Sequence, residues 1–234
     1  MSEQRLPTCV CIIPFFNEGE RIYTVLEKIT KVKAIDRIIC VDDGSADTTY
    51  QEITKHFPQV TVLRNEVNQG KSGAIKTALE NVTEDYVFLI DADLSHVVGE
   101  EIEQAINSIK RDPQVDMIVM RRFADPWFSK LFRGEILTTG ERVLRTSNLK
   151  KIFINHPKSY QIEYAVNYFH MDGHKKVYWM PFSGENLPKV KKMGFFTGMK
   201  KEITMHVNCL KYKGPGKYVQ SFLFFCRNQY PRGK

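Results

Sequence analysis

Short apolar runs rich in β-branched residues alternate with stretches whose apolar positions recur at helical spacing. Runs 9–13, 37–41, 60–64, 86–90 and 117–120 read as strands, and 18–31, 46–56, 71–81 and 100–111 read as the helices between them. This alternation predicts an α/β fold with a mostly parallel sheet flanked by helices. Beyond Arg121 the segments become longer, more basic and more aromatic. They predict helices over 132–146 and 160–171, a strand over 176–180, a turn at 213–217 and a helical C-terminal extension.

In such a sheet ligands bind beyond the carboxyl ends of the strands, so the loops that follow the strands carry the candidate chemistry. Four of them are polar: PFFNEGE, DDGSADT, NEVNQGKSG and DADLSH. DADLSH places Asp91 and Asp93 one residue apart at a strand end, and a hard divalent cation would bind carboxylates there together with phosphate oxygens. Asp-X-Asp pairs also cap helices and sit on turns. In DDGSADT the helix cap is expected among Ser45, Asp47 and Thr48, which leaves Asp42 and Asp43 for a ligand such as a base or ribose. NQGKSG enters a helix with Lys71 between two glycines; its spacing is not that of a P-loop, and the helix start could receive an anion or be a plain turn. Phe15 and Phe16 could flank a nucleobase or belong to the core.

Charge and cysteine content narrow the setting. Lys plus Arg number 34 against 27 Asp plus Glu, a formal net charge of +7, which favours an anionic partner. No basic helix or stacking platform of a nucleic-acid reader is present, so nucleic acid is not expected. Cys9, Cys11 and Cys40 lie in apolar runs and, with Cys209 and Cys226, make an odd total of five. They read as buried, reduced thiols of a cytoplasmic protein. The start of the chain, with its acid and proline before a short apolar run, is not expected to act as a secretory signal, and no segment is apolar for long enough to span a bilayer.

The strings PFFNEGE, VDDGSADTT, NQGKSGAIKTAL and DADLSH, in this order and spacing, resemble the family 2 glycosyltransferases of the GT-A (Rossmann-like) fold, within them the dolichyl-phosphate mannosyltransferase-like group. The resemblance covers roughly the first half of the chain. It implies an inverting hexosyltransferase that takes a sugar from a UDP- or GDP-sugar donor with Mg²⁺ or Mn²⁺. It implies that Pro14, Phe16 and Glu18 contact the nucleoside, that Val41 and Asp43 flank the base, and that Asp91, Ala92 and Asp93 handle diphosphate and metal. Asp91 and Asp93 are the expected metal residues, Asp93 the direct ligand. Arg122 resembles the arginine that follows the corresponding strand, with Arg121 its competitor. Lys71 and Lys189 join the donor side, the latter with Lys191 and Lys192 in a basic loop like the one that closes over phosphates in polyprenyl-phosphate enzymes.

The resemblance divides the chain into a nucleotide-sugar-binding half at 1–121, an acceptor-side half at 122–194 and an extension at 195–234. The second half departs from the group: the Asp-rich and Gly-Phe-Arg segment usual between the acceptor helices is replaced by LKKIFINHPKS, while KSYQIEYAVNYF resembles the helix that bears an acid, with Glu163 its candidate. A phosphate acceptor is already ionised and needs no base, whereas a hydroxyl acceptor would need one, for which Glu163 is the candidate. A lipid-phosphate acceptor would place the protein at the cytoplasmic membrane surface, and the mixed aromatic and basic sequence after Lys217 suits an interfacial helix or packing onto the domain. Transfer to a soluble hydroxyl and a non-catalytic nucleotide-sugar-binding protein are the alternatives. A nucleotidyltransferase would instead show a glycine- and arginine-rich loop after the first strand.

Overall fold

The computed structural model describes residues 5–122, 135–154, 161–186, 214 and 216–231. Strands β1 (Cys9–Phe15), β2 (Arg37–Asp42), β3 (Thr61–Arg64) and β4 (Tyr86–Leu89) alternate with helices α1 (Arg21–Ile29), α2 (Thr49–His56) and α3 (Gly70–Leu79). The short β5 (Leu94–Ser95), α4 (Gly99–Arg111) and β6 (Met117–Arg122) follow. The second half contributes α5 (Glu135–Thr138), β7 (Arg142–Arg145), α6 (Thr146–Phe153), α7 (Gln161–Asp172), β8 (Val177–Phe182) and β9 (Glu185–Asn186), then a C-terminal helix α8 at 216–226.

Among the described residues, seven strands form one mixed sheet in the order β3-β2-β1-β4-β7-β6-β8. All neighbours are parallel except β7, which runs antiparallel to both β4 and β6. The chain steps from β1 outward to β2 and later back across to β4, so a crevice opens at the carboxyl ends of these strands. Both sheet faces are covered, which explains why the strands read as continuous apolar runs. On one face Cys9, Cys11 and Ile13 pack with Ile22, Leu26 and Ile29 of α1 and Ile102, Ile106 and Ile109 of α4. On the other, Val10, Ile12 and Ile39 meet Ala74, Ile75 and Ala78 of α3, with Ile162 and Val166 of α7 and Phe225 of α8.

The first-half elements match the sequence expectation to within a few residues, and Cys9, Cys11 and Cys40 are free and buried as expected. The helix expected over 132–146 is a correction. Its described part is a single helical turn, α5, followed by Gly140 and strand β7. β7 fills the slot between β4 and β6 and supplies the backbone partners that both strands would otherwise lack, a tertiary demand that outweighs local helical spacing. The two-residue ladder of β5 with β9 was not anticipated either.

The C-terminal segment packs onto the domain. Phe225 is buried and Tyr218, Phe222 and Phe224 pack on the α3 and α7 face, while Val219 and Leu223 remain 56% and 48% exposed. Beyond α8 the chain runs beside β8, where Trp179 N donates to Asn228 O and Tyr230 N to Trp179 O, both at 3.0 Å. Among the described residues no helix is long and apolar enough to cross a membrane.

Candidate active site

The loops after β1 and β2 are stitched to each other. Asn17 N donates to the Ser45 hydroxyl and Ala46 N to Asn17 Oδ1, each at 2.9 Å, and Gly19 N donates to Thr49 Oγ1 at 2.9 Å. Phe15 is buried in the core, whereas Phe16 is 44% exposed at the loop tip beside the partly exposed Pro14. Glu18 pairs with Arg21 at 2.9 Å. Val41 is wholly buried, with its side chain in the core.

Asp42 and Asp43, which the sequence left without a capping role, both have structural work. Asp42 Oδ1 accepts from Ser45 N at 2.8 Å and Oδ2 lies 3.4 Å from Arg64 Nε. Asp43 accepts from Asn65 Nδ2 at 2.8 Å, from Gln69 N at 3.0 Å and from Gly70 N at 2.7 Å. The orphan amides at the start of α3 are therefore met by an acid from a distant loop, a cap that spacing along one segment could not reveal. The carboxylate at this helix start is the protein's own Asp43. Gly44, at φ +78°, makes the close turn that brings the two loops together; a Cβ there would sit 3.0 Å from Asn68 N.

Lys71 turns away from that helix end into the sheet edge. Its Nζ lies 2.6 Å from Asp91 Oδ1 and 2.7 Å from Glu163 Oε1, joining the loop after β4 to helix α7. Burial alone would push the Lys71 ammonium toward neutrality, but the two carboxylates overcome it and hold its pKa well above the ordinary value. Burial likewise pushes Asp91 up, and Lys71, with Arg122 and Arg142, outweighs it and leaves the carboxyl below its usual range. Gly140 packs against this bridge: a Cβ would meet Lys71 Nζ at 2.6 Å and Asp91 Oδ1 at 2.7 Å, so the two side-chain ends would have to shift. A cavity of about 10 Å³, lined by Lys71, Gly140, Arg142 and Glu163 among others, has room for about one water. The larger hollow, about 320 Å³, lies along α4 by Asn107, Arg111 and Tyr230 and includes none of these residues.

A second set of buried charges stands behind this bridge, and the sequence reading missed it. Arg142 on β7 is almost wholly buried; its Nη1 donates to Asn167 Oδ1 at 2.9 Å, its Nη2 donates to Thr139 O, and Asn167 Nδ2 donates to Leu137 O at 2.9 Å. Glu141 accepts the Thr139 hydroxyl and lies 3.8 Å from Arg122 Nη1. Burial pushes the Glu141 carboxyl up, a push that Asp91 reinforces and that Arg122, Thr139 and Lys71 oppose without cancelling. At this separation opposite charges attract by about 4 kcal/mol for an effective dielectric near 20, before desolvation is counted. Arg121, the competitor, instead lies over the Trp179 ring at 5.0 Å.

One signal could have revealed these residues. Gly140-Glu141-Arg142 keeps the spacing of the Gly-Phe-Arg segment that seemed absent, ahead of the place where it was sought and with glutamate at the position of the phenylalanine. Reading 132–146 as a helix hid it.

Ala92 is buried, while Asp93 is partly exposed at the mouth of the same loop, just before the β5–β9 ladder. Among the described residues no three acids, histidines or cysteines cluster as a metal cage. The donor set fits a cation that takes one carboxylate and completes its shell from phosphate and water, as Mg²⁺ commonly does. Asp93 can supply that carboxylate; Asp91 is engaged by Lys71. Lys189, with Lys191 and Lys192, lies outside the described residues.

The comparisons agree with this architecture. The chain is similar to an undecaprenyl-phosphate 4-deoxy-4-formamido-L-arabinose transferase of Serratia proteamaculans (33% identical over 128 residues, 51% of this chain and 39% of the relative). It is also similar to a dolichol-phosphate mannosyltransferase of Pyrococcus furiosus (31% over 109 residues, 44% of this chain and 30% of the relative). The matches thus span less than two fifths of the length of these relatives. A crystal structure of glucosyl-3-phosphoglycerate synthase from Mycobacterium tuberculosis with Mn²⁺, UDP and glucosyl-3-phosphoglycerate superposes with a TM-score of 0.66 at 17% identity, covering 90% of this chain and 82% of that one, a likeness of fold. The model of the family described as glycosyl transferase family 2 matches residues 10–172, well over half of the sequence, and the chain belongs to that family.

Proposed function

We propose that the protein transfers a hexose, with inversion, from a UDP- or GDP-sugar to the phosphate of a polyprenyl phosphate. The observation that carries the acceptor choice is the grip of Lys71 on Glu163 at 2.7 Å. Glu163 Oε1 is occupied by the Lys71 ammonium, so this oxygen is not presented to the hydroxyl of an acceptor. An ionised phosphate oxygen needs no such base: it attacks the anomeric carbon, and the bond to the donor diphosphate breaks with its electron pair leaving on the nucleotide. The names of the two relatives, which act on undecaprenyl phosphate and dolichol phosphate, support the same choice.

Pro14, Phe16 and Glu18 form the nucleoside side, with Phe16 the exposed ring available for stacking. The backbone around Val41 borders the base, and Asp43 enters as the brace of that wall. Asp93 would hold Mg²⁺ or Mn²⁺ against the diphosphate, and the bound ion would neutralise charge on the leaving group. Arg122 adds positive charge from β6, and Lys71 keeps Asp91 and Glu163 in place. Lys189 is assigned to the phosphate-covering loop. The +7 charge and the exposed Val219 and Leu223 suit attachment to the cytoplasmic membrane face.

The test offers UDP- and GDP-hexoses with Mn²⁺ to the protein in the presence of a short polyprenyl phosphate or the matching polyprenol. Sugar appearing on the phosphate and not on the alcohol is expected. Transfer to the alcohol that vanishes in Glu163→Gln would overturn the acceptor assignment in favour of base-assisted transfer to a hydroxyl.

A further inference from the structure

We propose that Glu141 is a positioning residue for Arg122 and thereby sets how the protein grips the diphosphate of its donor, an inference that rests on the donor reading above. Glu141 lies one residue ahead of β7, beside β6, because Met120 N donates to its carbonyl oxygen at 2.9 Å. Met120 and Arg122 are two apart on that strand and share a face. The Glu141 side chain thus comes up beside Arg122, with 3.8 Å between Oε2 and Nη1.

The environment makes this acid unusual. Glu141 is 0% exposed, its Oε2 takes the Thr139 hydroxyl, and among the described residues its Oε1 has no hydrogen-bond partner. A phenylalanine, which the Gly-Phe-Arg pattern places here, would fill the site without burying a charge. Glutamate therefore costs packing stability and supplies what an aromatic ring cannot, a carboxyl group against the arginine. Thr139 anchors that group through a hydroxyl two residues away, so it is held independently of Arg122. The Arg122 charge also acts on Asp91, so the orientation of this guanidinium is felt at the head of the DADLSH loop. An incoming diphosphate competes with Glu141 for Arg122, and the glutamate sets both where the guanidinium waits and how tightly it is released.

The experiment is a double-mutant cycle on the full chain, using Glu141→Phe, Glu141→Gln, Arg122→Ala and the double variants. It reads melting temperature, the Kd of UDP and GDP against UMP and GMP with Mn²⁺, and the split between kcat and KM. Glu141→Phe should melt no lower than the parent yet change diphosphate affinity by about tenfold, leave the monophosphates unaffected, and add nothing once Arg122 is alanine. Glu141→Gln, which keeps the shape and loses the charge, should show the same selectivity with a smaller change. An equal effect of Glu141→Phe with and without Arg122 overturns positioning and leaves the donor reading standing. Diphosphate binding unaltered in Arg122→Ala overturns the role given to Arg122 and Glu141, whereas failure of the parent chain to bind UDP or GDP overturns the donor reading.

Discussion

The two halves of the sheet handle charge in opposite ways. On the side of β1 to β3, acids stand at the strand ends and are held mainly by fixed backbone donors, as Asp43 is by the amides of Gln69 and Gly70. On the side of β6, β7 and α7, the charges are held by other side chains: Lys71 by Asp91 and Glu163, Arg142 by Asn167, Arg122 by Glu141. Backbone donors make a rigid wall. Side-chain partners make a setting that a ligand or a single substitution can re-sort.

The contrast is broken most directly at Lys71. Lys71→Met strands the buried Glu163 and the partly exposed Asp91 and should cost about 3–5 kcal/mol in urea unfolding, the usual penalty for removing one partner of a buried pair. A loss under about 1 kcal/mol would show that water already screens the bridge.

Acid titration sharpens the comparison, because buried His170 on α7 belongs to the second half. Its Nδ1 donates to Val166 O at 2.7 Å, and burial lowers its pKa to about 4. A histidine whose folded pKa lies below its unfolded value adds stability that is present above pH ~6.5 and is lost as pH falls toward 4. Unfolding free energy should drop by up to about 3 kcal/mol across that window, and His170→Gln should flatten the slope.

Asp43→Ala tests the rigid half. It removes a cap shared by two amides and Asn65 and should cost about 2 kcal/mol in urea unfolding. The smallest effect belongs to Arg121→Ala, about 0.5–1 kcal/mol from the lost stack on Trp179, with turnover retained.

The same division explains what the sequence disclosed. β1, β2 and β4 are buried on both faces and α1 is amphipathic, so local pattern and tertiary role coincide, and the four loops follow from strand order. Within those loops the roles of Asp42 and Asp43 were hidden, since their partners lie 3 to 27 positions away in the chain. β7 was hidden for a stronger reason. Its place between β4 and β6 is set by neighbours far off in sequence, and its Glu141 and Arg142 look like the polar face of a helix until the sheet buries them. The Lys71 bridge spans 92 positions to Glu163, and no spacing rule reaches that far.

The central claim is that the loop after β4 meets the donor diphosphate through a cation on Asp93 while the loop after β2 is architecture. Calorimetric titration of UDP and GDP, with and without Mn²⁺, into the parent chain and Asp93→Asn tests it most directly. The account predicts that Mn²⁺ tightens binding at least about tenfold in the parent and has no effect in Asp93→Asn at unchanged melting temperature. Equal Mn²⁺ dependence in both proteins would contradict it.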